Sequence, residues 1–401
     1  MVDLEFISKL SIETDSKILL VVMDGLGSIP NSSTDKTELE TAKRTNLDNL
    51  VKKSICGLSD PVSPGITPGS GPGHLGILGY NPVKYVIGRG VLGAVGIGFD
   101  VTENDVAARA NFCTVDENEI VTDRRAGRIS TEVCTSLCNK LDGMKIDDVE
   151  VFVKPEKEHR AAVIFRGTNL GGSLTDSDPQ KVGLKPKLVE NIDESSKKSA
   201  TIINKFIKRA KDVLKDSHPA NMVLLRGFAK YPNLPSMRDV YKLKPLAIAT
   251  YPMYKGLAKL AGMDVANTGD TLEGEINAIK TNFENYNFFF FHFKKTDSTG
   301  EDGNFEKKVE AIEEFDSALN SILKFNFDVI VITADHSTPS ALKSHSWHPN
   351  PILLYSKYCI TDEVTEFTER ECAKGGLGRI NALDIMPLTL AHALKLNKYG
   401  A

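Results

Sequence analysis

DVIVITADHSTPSALKSHSWHPNP, residues 328–351, opens with the β-branched run Val329 to Ile332 and breaks into adjacent Asp335 and His336. His345 follows nine residues later. A short, continuous apolar run reads as a strand buried on both faces, as in a parallel sheet covered by helices. Ligands of open α/β sheets bind outside the carboxyl ends of the strands. A carboxylate and an imidazole delivered there suit a divalent metal. The stretch therefore predicts an α/β metalloenzyme.

Working outward, ILLVVM (18–23) is a second buried strand and ends at Asp24-Gly25. After about residue 245, strand and helix alternate. KPLAIAT, NFFFFHF, DVIVIT and PILLY read as strands. YKGLAKLAG, FEKKVEAIEEFDSALNSIL and DIMPLTLAHAL read as helices. The alternation predicts an α/β fold with a mostly parallel sheet and helices on both faces. From about residue 100 the texture changes to strands separated by turns, with a helix near 130–141 and an amphipathic one over SATIINKFIKRAKDVL. In the latter, Ile202, Ile203, Phe206, Ile207, Ala210, Val213 and Leu214 form one stripe. The expected organisation is a core of residues 1–100 and 241–401, with 101–240 as an inserted α+β domain. Residues 57–98 hold twelve of the 31 glycines. They predict loop backbone of unusual dihedrals or close approach to a ligand.

Composition narrows the class. The 401 residues favour two domains. A net charge of −4 gives no reason to expect nucleic acid or an anionic membrane as partner. No leader-like segment is read at the N-terminus, and no apolar run is long enough to span a bilayer. Six scattered cysteines outline no disulfide framework. A cytoplasmic protein is expected. Its oligomeric state is not legible.

Four places share one design, in which a strand end or tight loop delivers a ligand-type side chain: Asp24, Ser70 in TPGSGPGH, Asp297 after FFFFHFKKT, and Asp335-His336. An Asp after a strand is commonly only a cap or turn residue. Four such places, with His345, are hard to assign to caps. On these residues the chain resembles the archaeal-type 2,3-bisphosphoglycerate-independent phosphoglycerate mutases of the alkaline phosphatase superfamily. The matching segments include VVMDGLGSIP, TPGSGPGHLGILGYNPVKYVIGRGVLGAVGIG, VTDRRAGRI, LLRGFAKYP, KKTDSTGEDGNFEKKVEAIEEFD and TADHSTPSALKSHSWHPNP. They run from near the N-terminus to about residue 351.

The resemblance implies an alkaline-phosphatase-like core, with the insert as a substrate-binding lid that closes over the site. It implies interconversion of 3-phosphoglycerate and 2-phosphoglycerate, in glycolysis and gluconeogenesis, through a phosphoserine on Ser70. Asp24, Asp335 and His336 match ligands of a metal beside Ser70, which also touches it. Asp297 and His345 match ligands of a second metal. Two divalent ions are expected, manganese first, with magnesium, zinc or cobalt as variants. Metal coordination would activate the serine hydroxyl, a poor nucleophile at neutral pH.

One departure stands out. The superfamily usually gives the second metal an Asp-x-x-x-His pair, whereas here Asp297 is followed by Glu301. His348, three residues after His345, is read as restoring the imidazole while Glu301 also ligates. Arginine binds phosphate and carboxylate bidentately. Arg124 and Arg125, in TDRRAGR, lead the substrate-binding candidates, followed by Arg128, Arg160, Arg166 and Lys230. Arg109 and Arg226 recur near predicted strand ends. His74 is read as shaping the serine loop, whereas His159, His218, His292 and His392 show no partner pattern. A metal-dependent phosphatase or phosphodiesterase is the competing reading, marked by release of inorganic phosphate. A non-catalytic phospho-ligand sensor is the third.

Overall fold

The computed structural model describes residues 3–400. They divide into two compact units: one of the residues up to Val86, Leu234–Tyr251 and Ala258 onward, the other of Ile87–Asn233 with Pro252–Leu257.

The first unit is built on an eight-stranded sheet. Its order is Asp264–Val265, Pro245–Ile248, Phe288–Phe293, Ile18–Met23, Val329–Thr333, Asn350–Ser356, Ser54–Asp60, Gly378–Asn381. The central strands Ile18–Met23, Phe288–Phe293 and Val329–Thr333 are buried at every position, because side chains from both faces pack under helices. All pairings are parallel except those of Asn350–Ser356, which runs antiparallel to both neighbours and makes the sheet mixed. Leu19, Val21, Phe289, Phe291, Ile330 and Ile332 point into one core cluster with Ile312, Phe315 and Leu319 of the helix Phe305–Ile322.

The second unit carries a six-stranded sheet. Asp105–Val115 lies between Arg160–Arg166 and Met222–Lys230, antiparallel to both. The helices Thr131–Leu141 and Lys197–Leu214 contribute to its core. Val213, read as part of the buried stripe, is 37% exposed.

The glycine-rich stretch is loop only in part, with Gly65, Gly79 and Gly98 at positive φ. It contains two helices, Ser70–Ile77 and Arg89–Gly96, the second lying in the second unit. Glycine costs helix stability, and the structure shows what it allows instead. A Cβ at Gly73 would collide with the Asp335 carbonyl oxygen, so only glycine lets the Ser70 helix rest against the turn that follows Val329–Thr333. Gly25, directly after Asp24, has φ +64° and faces Thr338 and Asp297, which leave no room for a side chain.

Candidate active site

Parallel register brings the sequence-distant candidates together. Val22 pairs with His292 and Val21 with Ile332, so Asp24, the segment after Phe293 and Asp335-His336 all leave the sheet at one edge. Asp24, Asp335 and His336 are completely buried and Asp297 nearly so. Ser70 is the first residue of its helix.

Hydrogen bonding assigns the lone pairs. The Thr338 hydroxyl donates to Asp297 Oδ1 at 2.7 Å, so it accepts the Nδ1–H of His336 at 2.9 Å. This assigns His336 the tautomer with a bare Nε2. That nitrogen lies 3.3 Å from Asp24 Oδ1, 3.2 Å from Asp335 Oδ2 and 3.3 Å from Ser70 Oγ. Both carboxylate oxygens are buried without a hydrogen bond. His74 Nδ1 stands 3.1 Å from Asp335 Oδ2 but donates to the Ser70 carbonyl at 2.8 Å. Converging lone pairs on two carboxylate oxygens and an imidazole repel one another, and the mixture suits a divalent cation such as manganese or zinc. Asp24, Asp335 and His336 form one metal-ligand group by proximity.

A second group is Asp297, His336 and His345. His345 Nδ1 donates to the Pro68 carbonyl at 2.9 Å, which leaves its Nε2 bare, 3.7 Å from Asp297 Oδ1 and 3.8 Å from Glu301 Oε1. Its ring stacks on His336 at 3.5 Å between centroids. Since His336 Nδ1 is taken by Thr338, the free Nε2 of His336 faces the first group. Asp297 and His345 remain for the second, with Glu301 within reach on an exposed carboxylate. His348 joins neither group; its Nδ1 bonds Ser346 Oγ at 3.0 Å.

Two basic residues of this site escaped the sequence reading. His292 donates to Asp24 Oδ2 at 3.1 Å, so it has a partner after all. A histidine inside the otherwise apolar NFFFFHF was the available signal, because a buried imidazole needs a partner. Lys294 Nζ donates to Asp24 Oδ2 at 3.1 Å and to Asp297 Oδ2. Burial would raise the Asp24 carboxyl, but Lys294 and then His292 outweigh it and hold Asp24 well below the usual range.

Behind these residues, Glu369 accepts the Ser28 N–H at 3.1 Å and the Thr37 hydroxyl at 2.8 Å. Burial pushes its carboxyl up to about 7. A carboxyl raised on folding contributes stability that is fully present below its unfolded value and is lost as pH rises through the folded one. Between about pH 4.5 and 7 this amounts to about 3 kcal/mol. Glu369→Gln should flatten that slope and make the chain more stable than wild type at pH 8. Urea midpoints from pH 4.5 to 8 check this, and equal slopes in both proteins would refute it.

The second unit gathers arginines around two acids. Arg124 grips buried Asp178 with Nε at 3.1 Å and Nη2 at 2.6 Å, and Arg226 lies 3.8 Å from the same carboxylate. Arg109 Nε is 3.5 Å from Glu156. Burial, then Arg89 and Arg109, push the Arg226 guanidinium below its ordinary range. Arg109 and Arg226 each keep a buried Nε without a hydrogen bond. Four guanidinium groups facing two carboxylates leave positive charge for an anion. Arg89 escaped the sequence reading, hidden among glycines. The other candidates sit elsewhere. Arg166 is clamped by Asp105 through Nε and Nη2 at 2.7 Å and stacks on Phe99 and Phe152. Arg125, Arg128 and Lys230 are exposed, and Arg160 is half-buried beside Glu156.

Comparison with known proteins places the chain in a family. A family profile described as 2,3-bisphosphoglycerate-independent phosphoglycerate mutase matches residues 51–221. A Thermotoga maritima protein named probable 2,3-bisphosphoglycerate-independent phosphoglycerate mutase is 54% identical over 399 residues, 99% of each chain. The chain belongs to the 2,3-bisphosphoglycerate-independent phosphoglycerate mutase family. It is thus an isomerase, a phosphoglycerate mutase that works without the bisphosphoglycerate. A Thermus thermophilus relative of the same name is 52% identical over 400 residues, 98% of each chain. Among solved structures, the cofactor-independent phosphoglycerate mutase from Thermoplasma acidophilum is 31% identical with a TM-score of 0.72, covering 94% of this chain and all of that one. A Pyrococcus horikoshii protein reaches 0.84 at 31% identity, covering 96% of this chain and 99% of its own.

Proposed function

We propose that the enzyme moves the phosphoryl group of 3-phosphoglycerate onto Ser70 and returns it to the adjacent hydroxyl of the retained glycerate, giving 2-phosphoglycerate. In the first half-reaction the Ser70 Oγ–P bond forms as the substrate O–P bond breaks, and in the second the exchange reverses. The observation that carries this is the approach of Ser70 Oγ to the bare His336 Nε2, where Asp24 and Asp335 also converge. Asp24, Asp335 and His336 would hold one divalent cation, and Asp297 and His345, with Glu301, a second. Such ions, when bound, stabilise the attacking oxygen and the charge of the transferring phosphoryl group. Lys294 adds a fixed positive charge beside both sets of carboxylates. All six cysteines are free thiols, which supports a cytoplasmic enzyme of central carbon metabolism. Among the described residues no helix is long and apolar enough to cross a membrane.

The test is a coupled assay. With manganese and no added bisphosphoglycerate, the protein should feed enolase from 3-phosphoglycerate. Stoichiometric release of inorganic phosphate would convert the reading into that of a phosphatase.

The arginine cluster is proposed to bind the anionic groups of the substrate. Charge-assisted hydrogen bonds contribute about 1.5–3 kcal/mol. Arg226→Met is therefore expected to raise KM roughly 10- to 100-fold with metal content unchanged. An unaltered KM would remove Arg226 from substrate binding.

A further inference from the structure

The helix Phe305–Ile322 carries a lysine on its buried face. Lys308 is 0% exposed, and its ammonium donates to Thr338 O at 2.8 Å, Gly25 O at 2.9 Å and Gly27 O at 3.3 Å. An ammonium has three N–H donors and no acceptor. These three carbonyls take the whole set, an arrangement that suits the charged form although burial lowers the amine's proton affinity.

The carbonyls belong to the two turns that matter most. Gly25 and Gly27 follow Asp24. Thr338 follows His336, and its hydroxyl bridges His336 Nδ1 and Asp297 Oδ1. The turns already touch through the bridges of Leu26 and Gly27 to Ser337. Two further carboxylates reinforce the junction: half-buried Glu369 accepts the Ser28 N–H, and buried Glu38 accepts the Ser340 N–H at 3.1 Å. Burying a charge is costly, and an apolar side chain of similar length would fill the space without that cost. What the ammonium adds is a fixed distance between backbone segments whose neighbours point at the metal-ligand site.

We propose that Lys308 is a positioning residue that ties the turn after Asp24 to the turn after His336 and so sets the spacing of Asp24, His336 and Asp297 for a divalent cation. The proposal rests on the metal-binding reading given above. It assigns Lys308 no contact with substrate.

The experiment uses the full chain stripped of metal. Manganese binding is titrated by the electron paramagnetic resonance signal of free Mn2+ in wild type, Lys308→Met and Lys308→Arg, with circular dichroism melts of the metal-free proteins alongside. Groups that orient metal ligands typically contribute 10- to 100-fold in affinity. Lys308→Met is expected to stay folded and to bind manganese about 10- to 100-fold more weakly, with kcat largely recovered at saturating metal. Lys308→Arg, which keeps the charge, should recover part of the affinity. Wild-type affinity in folded Lys308→Met would overturn the proposal. If Lys308→Met does not fold, Lys308→Gln, which keeps two N–H donors, is titrated in its place under the same criterion. Failure of both to fold would also overturn it, since the lysine would then serve the fold rather than the site. A wild-type chain that binds no manganese removes the metal reading itself, and the proposal with it, before any variant is compared.

Discussion

Ser70→Ala is expected to lower kcat by at least ~10³-fold while leaving stability within about 1 kcal/mol of wild type. The two halves of this prediction have separate grounds. The hydroxyl faces the bare His336 Nε2 and is the one atom proposed to carry the phosphoryl group. Apart from its one long hydrogen bond to His336 Nε2, at 3.3 Å, that hydroxyl does not hold the helix in place. Gly73 rests against the Asp335 backbone, and His74 bonds the Ser70 carbonyl, which alanine retains. The coupled assay measures the first half and a thermal melt the second. Acid-quenched wild type given 3-phosphoglycerate should contain phosphoserine, and the variant none. Wild-type turnover in Ser70→Ala would end the serine mechanism.

His336→Ala is expected to match that loss for a different reason and to add a thermodynamic signature. This imidazole is wholly buried, holds Thr338 through Nδ1 and presents Nε2 to Asp24 and Asp335. Its removal leaves two buried carboxylates facing each other with a cation site one ligand short. A ligand that binds only the folded state stabilises it by RT ln(1 + [L]/Kd), about 2.7 kcal/mol when [L] is 100 times Kd. Wild type should therefore melt higher with manganese than after chelation. In His336→Ala most of that increment should vanish, with activity at least ~10³-fold down. An undiminished manganese-dependent shift in the variant would show that His336 is not a ligand.

Much of this was legible from residue order. Continuous apolar runs in a sheet covered on both sides can only be buried strands, and a charged or polar group at the end of such a run has few other uses. Asp24, Asp335 and His336 were visible for that reason. Residues whose role depends on what faces them across the fold were not. Lys294 reads as surface charge until the sheet places Asp24 beside it. Lys308 sits in a helix dense in Lys and Glu, where nothing local separates the buried lysine from the solvated ones. The glycine-rich stretch was legible only in part. Its glycines permit helices to pack hard against neighbouring backbone, a use that spacing alone does not distinguish from loop chemistry. Arg166 illustrates the limit for charges. Its position near a strand end looked like substrate recognition, yet Asp105 takes its guanidinium in a fork.

The antiparallel course of Asn350–Ser356 has a practical corollary. Because that strand turns back beside Val329–Thr333, the segment between them is one hairpin-like excursion that carries Asp335, His336 and His345, and so ligands for both proposed ions. Only its tip, residues 341–344, is continuously exposed. The two proposed cation positions are thus unequally exposed to damage. One protease cut or short insertion at that tip would uncouple His345 from Asp335 and His336 and so weaken the second position first, with the sheet itself left standing.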